Sequence, residues 1–156
     1  MKKFLLASVA ILALNAWAQS NVKIEDAWVR GTVAQQKATG AFMRLTAQRD
    51  ARLVAASSSV AGVVEIHEMS LDQGVMKMRA IAGLDLPAGK TVELKPGGYH
   101  VMLMDLKAAV AVDQQVPLTL VFEAPGGQRE QVELKAAARA LNASPTAGSM
   151  RQGHQH

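Results

Sequence analysis

None of the 156 residues is cysteine, and that absence removes disulfide staples, thiolate metal ligands and thiol redox chemistry together. A blue-copper electron-transfer centre needs a Cys ligand and is excluded, as is a thioredoxin-like copper reductase. Aromatic residues make up only 4% of the chain, and its basic residues form no Arg-rich or Lys-rich run. With neither a base-stacking platform nor a phosphate-tracking stripe, nucleic acid is rejected as a partner. No apolar run after the first residues approaches membrane-spanning length, so the mature chain is expected to make no stable membrane insertion. A nucleophile elbow is missing too: Ser58, Ser59 and Ser70 lie in no such context, and Gly97-Gly98 follows Pro96 into a strand where a phosphate cradle would open a helix. The chain is expected not to be an enzyme.

What is present begins with a leader. Lys2 and Lys3 form a positive n-region, Phe4 to Leu14 a short apolar run, and Ala16-Trp17-Ala18 a small-x-small cleavage site. Residues 1–18 therefore read as a secretory signal peptide cleaved near Ala18, and the mature protein is expected to be exported and soluble; the periplasm is what the family resemblance given below implies. The formal charge of +4 overstates its basicity, because losing Lys2 and Lys3 leaves 15 Lys and Arg against 13 Asp and Glu, a balance of +2. Residues 19–142 suffice for one domain. Residues 143–156, polar and small through Ser144-Pro145-Thr146-Ala147-Gly148, read as a flexible tail that carries Met150, His154 and His156.

Short alternating runs separated by turn residues predict an all-β domain, an antiparallel sandwich or Greek-key barrel. Strands are expected at Val22 to Val29, with Trp28 on the side of Val22 and Ile24, at the apolar run Ala41 to Leu45, and at Arg52 to Ala55, Val63 to Met69, Val75 to Ile81, Thr91 to Leu94, His100 to Leu106, Val116 to Phe122 and Gln131 to Leu134. Turns fall at Asp72-Gln73-Gly74, Pro87-Ala88-Gly89, Pro96-Gly97-Gly98 and Pro125-Gly126-Gly127. Ala-rich Glu133 to Asn142 leaves helix and strand in competition.

Val63 to Leu106 concentrates the soft donors: His67, Met69, Met76, Met78, His100, Met102 and Met104. Thioether sulfur and neutral imidazole select monovalent copper, and zinc would usually recruit cysteine or carboxylate. Taken singly, each methionine is well explained as core filler. Strand alternation puts Glu65, His67 and Met69 on one face, read as the wet one, and His100 and Met102 together on a face of their own strand. It sends Met76 and Met78 away from Lys77 and Arg79, which leaves Met78 free to be core. Glu65 and Glu68 read as a solvated strand edge and are assigned no chemistry.

The spacing His67, ten residues, Met78, twenty-one residues, His100, one residue, Met102 resembles the H-x10-M-x21-H-x-M signature of the PCu(A)C periplasmic copper chaperones. Flanking text agrees: GVMKMR around Met76 and Met78, LKPGGYHVMLMDL from Leu94 to Leu106, Ala27-Trp28-Val29-Arg30, and Thr39-Gly40-Ala41-Phe42-Met43. The resemblance covers Ile24 to Leu134. It implies a cupredoxin-like fold that binds Cu(I) through His67, Met78, His100 and Met102. It further implies delivery by ligand exchange toward the CuA domain of cytochrome c oxidase subunit II, alongside a Sco-type copper protein. Met69, Met76 and Met104 lie outside the signature and read as supporting or packing residues. Some members carry His- and Met-rich extensions, so Met150, His154 and His156 are a candidate secondary site for Cu(II). The competing readings are copper storage or detoxification without a dedicated recipient, and a β-sandwich whose methionines merely pack.

Overall fold

The computed structural model describes residues 19–140; the proposed signal peptide and the tail with Met150, His154 and His156 lie outside them. Ten strands follow in chain order: β1 (Val22–Arg30), β2 (Ala38–Ala47), β3 (Ala51–Ser57), β4 (Ala61–Asp72), β5 (Val75–Ala80), β6 (Leu84–Leu86), β7 (Thr91–Leu94), β8 (His100–Leu106), β9 (Gln115–Glu123) and β10 (Arg129–Arg139). They form one continuous sheet in the order β5-β4-β8-β2-β1-β10-β9-β3-β6, with β7 also on β2. The sheet curls over itself, bringing β3 close to β4 and β6 close to β2. Side chains of one face thereby enclose the core, among them Leu45, Leu53, Val101, Leu103, Leu120 and Phe122. Each large apolar side chain buried this way is worth about 1.5–3 kcal/mol.

The all-β expectation holds, with three refinements. Every pairing is antiparallel except β1 with β10, which is parallel. The three-residue β6, buried only at Leu84 and Leu86, is too short to register as alternation. The Ala-rich stretch is strand through Arg139, because β10 is clamped between β1 and β9 and its small Ala136 and Ala138 fit flat against the core; sheet pairing overrides the helix propensity of alanine.

Two local devices set which residues reach which face. Asp72 pairs with Val75 across Gln73 and Gly74, whose φ values of 48° and 79° make the two-residue type I′ turn that matches strand twist. In β1 the register shifts between Glu25 and Trp28, with Asp26 at φ 51°, the mark of a bulge. The shift corrects the expected placement of Trp28: Val22 and Val29 are buried in the core, while Trp28 stands opposite Phe42. Phe42 is buried yet belongs to no part of the inner core cluster, so Trp28 and Phe42 share the outer face.

Candidate metal centre

β4 and β8 run antiparallel with His67 directly opposite His100 and Glu65 opposite Met102. Alternation then sends His67, Glu65, His100 and Met102 to one outer face, while Ile66, Val101 and Leu103 between them enter the core. On the other side of β4, β5 sets Met78 opposite Met69, again on that face. Met78 is 49% exposed, so it is not core, and its Sδ lies 3.2 Å from His100 Nε2. The two imidazoles meet edge to face with centroids 5.6 Å apart. The fold thus brings His67, His100 and Met78 into one cluster. Half-buried Met102 stands beside it, two residues along β8 from His100.

The face is drier than its Glu65 suggested. Glu65 is exposed, but His67 and His100 are only 8% and 6% exposed. Neighbours from strands far away in sequence flank His100: Phe42 tilts against it at 6.3 Å between centroids and against Trp28 at 4.6 Å. The Arg30 guanidinium lies over Phe42, and Arg139 lies over Trp28, at 5.5 and 5.3 Å, within cation-π range. Gly40 makes room for this row, since a Cβ there would sit 2.7 Å from Phe42 Cζ.

Turn chemistry fixes the nitrogen that His100 presents. Lys95 to Gly98 close a turn through a Gly98 N–H bond to the Lys95 carbonyl of 3.0 Å, with Pro96 second and Gly97 third at φ 82°, as a type II turn requires. The Gly98 carbonyl is thereby aimed at His100 Nδ1, 3.1 Å away. A carbonyl only accepts, so Nδ1 carries the proton and Nε2 is a bare lone pair facing the Met78 sulfur. This carbonyl-to-imidazole arrangement is the usual support behind a metal-binding histidine.

His67 is oriented by a different partner. Its Nε2 lies 2.8 Å from Glu65 Oε2; the carboxylate accepts, which places the proton on Nε2. His67 Nδ1 is then a buried lone pair without a hydrogen-bond partner, costly to leave bare and suited to a metal ion. Glu65 is solvated, as expected of a strand edge, but also holds an imidazole, a role its spacing of two residues from His67 on one strand face would have signalled. Among the described residues, no group of three or more His, Asp and Glu gathers to hold a metal. The converging donors are imidazole nitrogen and thioether sulfur, a neutral soft set.

Burial holds the His100 imidazole below its ordinary value of 6.5; the bond to Gly98 opposes that, and the charges of His67 and Arg30 add to it. A lowered pKa keeps the ring neutral further into acid, so capture of a soft ion at Nε2 is expected to persist through pH 6.5 and weaken only below it. Ag(I) competition titrations between about pH 5 and 8 check this; a midpoint above 6.5 contradicts it.

Residues 22–136 match the family described as "Putative lipoprotein LpqE-like". A curated relative from Leifsonia xyli subsp. xyli, "Putative lipoprotein Lxx21020", is 36% identical over 65% of this chain and 61% of its own length, so the chain spans under two thirds of it. Among solved structures, the copper-bound PCuAC domain from PmoF2 aligns with a TM-score of 0.62 at 28% identity, covering 80% of this chain and 97% of that one. The CuI form of DR1885 from Deinococcus radiodurans aligns with a TM-score of 0.55 at 31% identity, covering 82% and 84%. These PCuAC domains share the cupredoxin-like β fold seen here.

Proposed function

We propose that this chain, which belongs to the LpqE-like family, is a periplasmic carrier of Cu(I) whose ligands are His67, Met78, His100 and Met102. The observation that carries the reading is the 3.2 Å approach of His100 Nε2 to Met78 Sδ. With the Nδ1 proton committed to Gly98, two lone pairs face each other with no hydrogen between them, an arrangement a soft cation satisfies. The likeness to the copper-bound PCuAC domain of PmoF2 and to the CuI form of DR1885 supports the same cargo. All four ligands are neutral, so Cu(I) keeps its charge and its binding releases no proton where the imidazoles are already neutral.

The mixed exposure of the site suits carriage. Two covered imidazoles hold the ion from below, and Met78, the half-exposed residue of the set, is the ligand an incoming donor reaches first. Transfer then proceeds by exchange: one bond to the recipient forms as the bond to Met78 breaks, with no change of oxidation state and no covalent intermediate. The recipient proposed from the family resemblance is the CuA domain of cytochrome c oxidase, with a Sco-type protein assisting.

Mixing Cu(I)-loaded mature protein with an isolated apo CuA domain and a Sco-type protein, then oxidising the product by one electron with ferricyanide, is expected to produce the mixed-valence CuA absorption spectrum. Retention of copper by the carrier under those conditions would favour storage over delivery.

A further inference from the structure

Two methionines that the Cu(I) centre does not use occupy its sheet face. Met69 stands directly across from Met78, and Met76 directly across from Leu71, one step nearer the Gln73-Gly74 tip. Met76 is 50% exposed and every residue of β5 is exposed, so packing does not account for it. The opposite side of the same ribbon is ionic, with Lys77 paired to Asp72 and Arg79 to Glu68. A two-stranded ribbon with salt bridges on one side and thioethers on the other, the latter continuous with His67 and His100, has a chemistry of its own.

We propose that Met69 and Met76 form a second, thioether site for a soft monovalent cation, Cu(I) or Ag(I), outside the His/Met centre, with Met78 able to ligate in either. Cross-strand partners have Cβ atoms about 4.5–5.5 Å apart and diagonal neighbours about 7–8 Å, and the three torsions of methionine let sulfurs at those positions converge on one ion. Passage inward exchanges a metal–sulfur bond to Met69 or Met76 for a metal–nitrogen bond to His100; no electron or proton moves. Use of the outer site as an entrance rests on the copper-carrier reading; its existence does not.

Mature protein labelled with 13C at the methionine methyl groups, titrated with redox-inert Ag(I), tests this. The first equivalent is expected to shift the Met78 and Met102 methyls, and the second those of Met69 and Met76. Met69→Leu with Met76→Leu keeps the face apolar, and is expected to abolish uptake of the second equivalent without altering the first. Static Met69 and Met76 methyls through two equivalents overturn the proposal, as does a double variant that still takes up the second ion with its Met150 methyl unshifted. If Met69 and Met76 respond while Met102 does not, the outer site stands and the inner assignment fails.

Discussion

Replacing His100 with alanine is expected to lower Cu(I) affinity more than about 100-fold, beyond the 10- to 100-fold typical of losing a supporting group behind a ligand. The substitution removes the nitrogen whose lone pair faces Met78 Sδ and strands the Gly98 carbonyl that had fixed it. Because His100 is buried, a cavity accompanies the loss, and a companion variant separates chemistry from packing. Met78→Leu keeps the size of a half-exposed side chain and deletes only its sulfur, so its thermal midpoint should match wild type while its affinity falls at least about 10-fold. Competition with a chromophoric Cu(I) chelator reads affinity, and circular dichroism reads the fold. Wild-type affinity in either folded variant removes that residue from the centre.

The second large effect lies on the other face of the sheet. Phe122→Ala is expected to destabilise the protein by about 3–5 kcal/mol, a large share of the roughly 5–15 kcal/mol that holds a domain folded. Phe122 sits on β9 opposite Glu130 of β10 and Leu53 of β3, and is among the largest fully enclosed side chains. It belongs to the core cluster, on the face of the sheet away from the proposed ligands, so molecules that remain folded should bind Cu(I) normally. Ligand linkage then restores about 2.7 kcal/mol at a free concentration one hundred times the dissociation constant. Urea unfolding of apo and loaded protein measures both numbers; an apo loss under 1 kcal/mol would show that this face tolerates a void at Phe122.

Most of the architecture was legible because the chain alternates cleanly wherever one face is dry and turns sharply at Gly and Pro. β7 and β8 fall where alternation and turn chemistry put them. Trp28 was misplaced because a single left-handed residue, Asp26, inverts the parity of everything after it, and no pattern of hydrophobicity records a bulge. Met78 was undecided for a different reason. Lys77 and Arg79 mark a wet side, but on β5 both sides are wet, so the opposite of solvent was not the core. The dryness of His100 draws on Phe42, a neighbour in space supplied by β2 and itself packed on Trp28 of β1, and local periodicity contains no term for them. The four-residue spacing, by contrast, was fully visible in the sequence. What the fold adds is the tautomer, set by a turn two residues before His100 and a carboxylate two residues before His67.

The position of β5 at the end of the strand order has a thermodynamic consequence. It is hydrogen-bonded to β4 alone, while the strands bearing His67, His100 and Met102 each have partners on both sides. Edge hairpins with few buried contacts open at a fraction of the global unfolding free energy. Three of the proposed ligands thus belong to the slowly exchanging heart of the sheet and the fourth to its fraying margin, so the cluster can lose one ligand without the domain unfolding.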